Sequence, residues 1–227
     1  MAALVAWVSQ KGGVSKSALA RALAVEAARG GLQVKIADLD PGQGSTTDWH
    51  KDRVAAGLEP HIAVELYPTP KTAISAANGL DLLVIDGPAR ADQATLEIAR
   101  MADLVVQPTG ASKDDLRPAV RAFNALVKAG VPREKLLLVL SRISTDAEAE
   151  GARAYLEEAG YSVAPGYVPE RAAYRAVQDT GRAITEIRYA SLRGAAEAVV
   201  QAVIDVASGG GRGKGDASSD QQVKRRI

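Results

Sequence analysis

Five short apolar runs rich in valine, leucine and isoleucine recur along the chain, and amphipathic stretches separate most of them. The runs are Leu4–Val8, Val34–Ala37, Leu82–Ile85, Leu104–Val106 and Leu136–Leu140. Such runs, alternating with helical patterns, are typical of parallel strands buried on both faces. The pattern therefore predicts an α/β fold in which a mainly parallel, twisted sheet carries helices on both faces.

Helical spacing marks several of the segments between the runs. Over Lys16–Arg29, leucines and alanines fall on one stripe, and two glycines then end the pattern. This segment is predicted to be the first crossover helix. Further helices are predicted over Pro118–Lys128, Ala147–Ala159 and Ile187–Ala207.

The chain divides into a domain and a tail. Of its 227 residues, 47% are hydrophobic, enough to bury the core of one compact domain, which we place at residues 1–207. From Ser208 the sequence turns to glycine, serine and charged residues, a composition that cannot offset the entropy of ordering. Residues 208–227 are therefore predicted to be a disordered basic tail.

Charge and cysteine content narrow the function classes. The 28 basic and 27 acidic residues nearly cancel, so any DNA binding must come from a local patch. The absence of cysteine excludes disulfides, thiolate metal sites and iron–sulfur clusters. The apolar start has no basic leader and is interrupted at Lys11, so we expect no export signal, no membrane association and a cytoplasmic location.

The strongest chemical signal is "QKGGVSKSA", between the first predicted strand and the first predicted helix. A glycine-rich turn at that point directs backbone N–H groups and the positive end of a helix dipole at phosphates. Lys16 is suited to contact the β- and γ-phosphates, and the Ser17 hydroxyl to bind Mg²⁺. The cofactors expected from these residues are therefore a nucleotide and Mg²⁺.

The segment "KGGVSKS" resembles the deviant Walker motif of the ParA and MinD superfamily, which has the three-layer P-loop NTPase fold. The resemblance implies that Lys11 is the signature lysine, which reaches the nucleotide of a partner subunit, and that Lys11 and Lys16 are catalytic. The implied nucleotide-binding residues of the loop are Gly12, Gly13, Val14, Ser15, Lys16, Ser17 and Ala18.

Ser15 departs from the family pattern, which has glycine before the P-loop lysine. Its Cβ stands where the backbone approaches phosphate most closely. Either ATP affinity or turnover is reduced, or the loop has adapted to serine, and the sequence leaves both open.

Two acidic segments resemble the switch and Walker B regions of the same superfamily. In "IADLDPGQGSTTDW", Asp40 matches the acid that positions the attacking water, and Asp38 is expected to be structural or close to Mg²⁺. In "DLLVIDGPA", Asp86 ends an apolar strand and is expected to hold Mg²⁺ together with Ser17. Gln43 is given no role, because the loop is longer than the family pattern.

Later segments resemble the family's base-side pocket and its basic DNA surface. Ser141, Arg142, Pro169 and Glu170 are the implied nucleotide-pocket residues. The implied DNA-binding residues, before or within the closing helix, are Arg182, Arg188 and Arg193.

The resemblance is to the small, ParF-like class of partition ATPases. It implies a homodimer that forms with ATP, binds DNA nonspecifically on the nucleoid, and hydrolyses ATP when a ParB-like centromere-binding protein stimulates it. Three alternatives stay open: a MinD-like positioning ATPase, a metabolic amide-forming or carboxylating ATPase, and a VirC-like DNA-transfer protein with weakened catalysis.

Overall fold

The computed structural model describes residues 2–42, 44–88 and 93–209. The strands are β1 Ala3–Trp7, β2 Val34–Asp38, β3 Ala63–Leu66, β4 Leu82–Asp86, β5 Leu104–Thr109, β6 Leu136–Ile143, β7 Ser162–Val163 and β8 Val168–Pro169. They form one sheet in the order β3-β2-β4-β1-β5-β6-β7, with β8 beside β6. Each of these neighbouring pairs runs parallel.

The helices are α1 Lys16–Arg29, α2 Ser45–Ala55, α3 Pro70–Ser75, α4 Gln93–Met101, α5 Lys113–Lys128, α6 Asp146–Glu158, α7 Ala172–Gln178 and α8 Ala190–Ala207. Short 3₁₀ turns lie at Arg133–Lys135 and Ile184–Glu186. Within the described ranges, no helix is long and apolar enough to cross a membrane.

Side chains of the central strand alternate between two cores. Val5 and Trp7 belong to a cluster that includes residues of α1 and α8, whereas Ala6 and Val8 belong to a cluster that includes residues of α4, α5 and α6. Successive strand residues point to opposite faces of a sheet, so helices cover both faces. The predicted three-layer fold with a parallel sheet is therefore confirmed.

The predicted start of α5 was wrong. The helix begins at Lys113, five residues before Pro118, with Ser112 at the N-cap and two acidic residues in the first turn. Carboxylates near a helix N-terminus stabilise it. Pro118 lies inside the helix, where its missing N–H removes one hydrogen bond near the first turn without ending the helix.

The predicted start of α8 was also wrong, because Ile187 lies outside the helix. Ile187 has an extended backbone with φ −69° and ψ 141°, and its side chain is buried in the core. Burial in this conformation prevents the helix from beginning before Ala190. The helix ends at Ala207, and residues 210–227 of the predicted tail lie outside the described part of the chain.

The strand order places one loop at the centre of the sheet edge. β1 lies between β4 and β5, so the chain leaves the central strand with a neighbour on each side. The carboxyl ends of parallel strands share one edge of the sheet, and ligands bind there where the strand order reverses. The loop after β1 therefore lies beside the carboxyl end of β4.

Candidate nucleotide-binding site

The loop between β1 and α1 joins exposed glycines to a helix start that no side chain caps. Gly12 and Gly13 are exposed, and Gly13 has φ +80°. Ser15, at the N-cap, makes no side-chain cap hydrogen bond, and the first turn contains no acidic residue. The first N–H groups of a helix have no intrahelical acceptor and carry the positive end of the dipole. This arrangement fits the phosphates of a nucleotide.

Val14 and Ala18 would contact a phosphate through their backbone N–H groups rather than through their side chains. Val14 is buried beneath the loop. Ala18 is partly buried and packs against the core on the α1 side of the sheet. Their side chains anchor the loop and the first turn of α1 to the domain.

Ser15 has the backbone conformation of a glycine. Its φ is +67° and its ψ is 19°, in the left-handed region. For a residue with a Cβ this region costs on the order of 1–2 kcal/mol. The loop thus keeps a glycine-like backbone geometry with serine at this position, and the resulting strain lowers the stability of the folded protein.

Lys16 points into the domain and pairs with Asp86. Its ammonium lies 2.5 Å from Oδ1 of Asp86 and 3.4 Å from the Ser17 hydroxyl oxygen, and 10% of the Lys16 side chain is exposed. The fold therefore brings together three of the residues predicted to bind phosphate and Mg²⁺.

Asp38 and Asp86 end neighbouring strands in register. Asp38 accepts hydrogen bonds from the Asp40 N–H at 3.0 Å, and from the N–H and hydroxyl of Thr47 at 3.2 and 3.1 Å. Burial raises the pKa of Asp38, the Asp40 N–H opposes this, and the nearby charge of Asp86 raises the pKa further. Two carboxylates and the Ser17 hydroxyl form the all-oxygen donor set that Mg²⁺ prefers.

Such a metal site would depend on the nucleotide. In the described part of the chain, no group of three or more His, Cys, Asp or Glu side chains is arranged to hold a metal. Mg²⁺ is usually held by one or two carboxylates together with substrate phosphates. The residues present fit that arrangement, in which the ion neutralises charge on the phosphates.

Asp40 lies near the start of the loop that follows β2. Its carbonyl accepts the Gly44 N–H at 2.8 Å, and its side chain is partly buried. A Cβ built on Gly42 would lie 3.7 Å from its Oδ1, so the carboxylate lies beside the turn of the loop. Backbone bonds thus hold Asp40 next to Asp38. Gln43 lies outside the described residues.

Lys11 points away from Lys16. Its ammonium lies 2.5 Å from Oδ1 of Asp115 on α5, and the Ser112 hydroxyl donates to the other carboxylate oxygen at 2.7 Å. Burial raises the pKa of Asp115, but the hydrogen bonds from Lys11 and Ser112 lower it below its ordinary value. Half of the Lys11 side chain, 52%, is exposed. One loop therefore carries an inward and an outward ammonium.

A surface ion-pair network ties β6 and β8 to the same loop. Arg142 donates to the Gly13 carbonyl at 3.0 Å and to Glu170 at 2.6 Å, and Glu170 also pairs with Arg175 at 2.9 Å. Arg142 has φ +60°. Pro169 lies in β8, next to Glu170. Arg142 and Glu170, predicted for the nucleotide pocket, thus border the phosphate loop.

Ser141 differs from these neighbours. It is fully buried, and its hydroxyl has no hydrogen-bond partner among the described residues. A nucleotide cannot touch it in this conformation.

The sequence of residues 5–184 matches the model of the CobQ/CobB/MinD/ParA nucleotide binding domain. The chain belongs to this family. The Pyrococcus furiosus cell division ATPase MinD shares 17% identity at a TM-score of 0.73, over 91% of this chain and 100% of that one. At these low identities the structural likeness shows the fold.

Two further MinD/ParA-type structures contain nucleotides. A putative plasmid partition protein from Borrelia burgdorferi B31, bound to AMPPNP, has 16% identity and a TM-score of 0.72, over 90% of this chain and 99% of that one. The septum site-determining protein MinD of Pyrococcus horikoshii OT3, complexed with Mg-ADP, has 19% identity and a TM-score of 0.69, over 93% and 97%. No curated protein matches the sequence.

The three arginines predicted to bind DNA lie near the end of this MinD/ParA-type domain. Arg182 is partly buried and donates to the Thr180 hydroxyl at 3.2 Å. Arg188 lies 4.9 Å from the centre of the Tyr189 ring, and Arg193 lies 3.7 Å from a carboxylate oxygen of Glu197. Each arginine thus contacts a neighbour in sequence. The basic residues of the predicted tail lie outside the described residues.

Sequence reasoning missed Arg21, Thr46 and Asp115. Arg21 is a buried cation inside a helix of alanines and leucines, four residues after Ser17. That spacing puts both residues on one face of α1 and was a usable signal. Thr46 and Asp115 gave no comparable signal, because their partners lie 40 and 104 residues away in sequence.

Proposed function

We propose that this protein is an ATP-dependent DNA-partition ATPase. In this proposal Mg-ATP binds at the phosphate loop, and two protomers join in a nucleotide sandwich. The dimer binds DNA without sequence preference, as a nucleoid-associated protein of the cytoplasm. A ParB-like partner stimulates hydrolysis, which returns the protein to monomers.

The proposal rests on the different environments of the two loop lysines. Lys16 is buried against Asp86, beside the helix start that fits phosphates. Lys11 is half exposed on the outer side of the loop, and an ammonium there is surplus to a site within one chain. A γ-phosphate brought by a second protomer is a partner that would outcompete Asp115, because it carries more charge and more acceptor oxygens.

Dimerisation is tested by light scattering during size-exclusion chromatography with Mg²⁺ and either ATP or ADP. We expect a dimer with ATP and a monomer with ADP. Lys11→Ala should stay monomeric with ATP while its ATP affinity stays within about threefold of wild type, because Lys16 still serves the chain's own phosphates.

The matched control is Lys128→Ala. Lys128 is an exposed lysine at the end of α5, at the opposite edge of the sheet from the loop. This variant should dimerise normally. A wild-type mass that does not differ between ATP and ADP, or a Lys11→Ala variant that dimerises like wild type, would rule out the sandwich.

The DNA step has its own test, fluorescence anisotropy of a labelled duplex over a salt series. Binding that requires ATP, ignores sequence and weakens steeply with salt is expected of phosphate contacts. One variant replaces Arg182, Arg188 and Arg193 with alanine, and another ends at Ser208. If both retain full ATP-dependent binding, the DNA surface lies elsewhere on the domain.

The second candidate is a positioning ATPase that acts without DNA. The fold likeness to the two archaeal MinD proteins favours it. The same ATP-bound dimer would then fail to bind duplex DNA at any salt concentration. ATP-dependent sedimentation with anionic lipid vesicles would support this alternative.

A further inference from the structure

A chain of buried hydrogen bonds connects α1, α2 and β4 behind the phosphate loop. Nε of Arg21 donates to the Thr46 hydroxyl at 3.1 Å, and that hydroxyl donates to Oδ2 of Asp86 at 2.7 Å. The side chains of Thr46, Arg21 and Asp86 are all buried, with Thr46 fully so. Guanidinium groups only donate hydrogen bonds, so the hydroxyl accepts a hydrogen bond from Arg21 and donates one to Asp86.

The two oxygens of Asp86 therefore have different partners. Oδ2 accepts from Thr46, and Oδ1 pairs with Lys16. With Oδ2 held by a neutral hydroxyl, the carboxylate cannot rotate freely. Oδ1 is then the oxygen presented to the phosphate loop.

Arg21 is itself held on several sides. It donates to Gln178 of α7 at 3.2 Å, and its guanidinium lies 5.4 Å from the centre of the Trp49 ring. Burial lowers the pKa of Arg21, whereas the charges of Asp86 and Asp38 raise it. A buried cation costs free energy unless polar groups compensate its charge, so the hydrogen bonds of Arg21 to Thr46 and Gln178, together with the nearby charge of Asp86, indicate a role tied to that carboxylate.

Adjacent threonines at the start of α2 bind the two carboxylates separately. Thr46 holds Asp86, and Thr47 holds Asp38 through its N–H and its hydroxyl. Both threonines follow closely on the loop that contains Asp40. The first turn of α2 is thus bonded to both acids of the predicted metal site.

We infer that Thr46, supported by Arg21, is a positioning residue for Mg²⁺ binding, since it orients Asp86 and joins the Asp40 loop to that carboxylate. The inference rests on the proposed binding of Mg-ATP. Groups that orient a metal ligand typically contribute 10- to 100-fold to metal affinity. A threonine with a purely structural role would change fold stability without changing the Mg²⁺ requirement.

The test measures the affinity of the full chain for a fluorescent ATP analogue, as a function of Mg²⁺ concentration and in EDTA. Thr46→Val keeps the shape and removes the hydroxyl. We expect the Mg²⁺ concentration at half effect to rise about tenfold, while affinity in EDTA stays within twofold. Thr46→Ser should restore the wild-type value.

Thr185→Val is the matched control. Thr185 is also fully buried, and its hydroxyl has no hydrogen-bond partner among the described residues, so the same substitution should leave the Mg²⁺ dependence unchanged. Arg21→Lys, which keeps the charge and loses the Nε–H, serves if Thr46→Val fails to fold. It should shift the Mg²⁺ requirement in the same direction.

The outcomes separate the inference from the proposed function. A wild-type protein that binds no ATP analogue would overturn both. Wild-type binding with an unchanged Mg²⁺ midpoint in the folded Thr46 or Arg21 variant would overturn the inference alone. Equal losses of affinity with Mg²⁺ and in EDTA would assign Thr46 to the shape of the loop and would also overturn it.

Discussion

Replacing Ser15 with glycine should make the protein more stable. Ser15 has φ +67°, and its side chain makes no cap hydrogen bond that the change would remove. Relief of the left-handed conformation contributes about 1–2 kcal/mol. The greater conformational freedom of glycine in the unfolded chain lowers the free energy of unfolding by about 0.5–1 kcal/mol. The net gain expected is about 0.5–1 kcal/mol.

Thermal unfolding followed by circular dichroism measures this gain. For a chain of this size, 1 kcal/mol shifts Tm by about 2–4 °C, so Ser15→Gly should raise Tm by about 1–4 °C. The matched control is Ser191→Gly. Ser191 is exposed within the first turn of α8, where glycine is a poorer helix former than serine, so Tm should fall slightly. A lower Tm for Ser15→Gly would refute the strain argument.

The ATP affinity of Ser15→Gly is a second, independent test of the strain argument. Because the strain is present in the fold itself, removing it stabilises the free and ATP-bound protein alike, provided that the loop keeps this conformation. The dissociation constant for ATP should then change less than twofold. Much tighter binding with an unchanged Tm would mean that the serine Cβ obstructs the phosphate, and that the backbone strain is unimportant.

Two further substitutions test the site and the fold. Asp40→Ala keeps the N–H that binds Asp38, so it should retain ATP binding within about threefold and lose at least about 100-fold in turnover. The control Asp48→Ala, at an exposed position, should leave both ATP binding and turnover unchanged. Equal losses of binding and turnover in Asp40→Ala would contradict a water-positioning role. Glu186→Ala leaves the fully buried Arg53 without its carboxylate partner, so the free energy of unfolding measured in urea should fall by about 3 kcal/mol. A decrease under 1 kcal/mol would show that hydrogen bonds to the Pro60 and Gly181 carbonyls suffice for Arg53.

Local patterns in the sequence determined the parts of the fold that depend on near neighbours. The spacing of apolar residues predicted α1 with the bounds that the structure has, Lys16–Arg29. The resemblance to a Walker B segment, together with the shared edge at which parallel strands end, placed Asp86 beside the phosphate loop. Strand β3 was missed because it is a partly exposed edge strand with a short apolar run that a glutamate interrupts. Helix α2 was missed because only Thr46, Trp49 and Arg53 of its residues are buried.

Tertiary structure decided where the side chains of the site point. The motif resemblance assigned different roles to Lys11 and Lys16, but the neighbouring residues in sequence do not show which ammonium is buried and which is exposed. Asp115 and Asp86, which lie 104 and 70 residues away, make that distinction. Arg21 acquires its significance in the same way, because its partners come from α2 and α7. Periodicity and motifs report backbone and burial, whereas a buried charge takes its direction from whichever opposite charge the fold brings within hydrogen-bond distance.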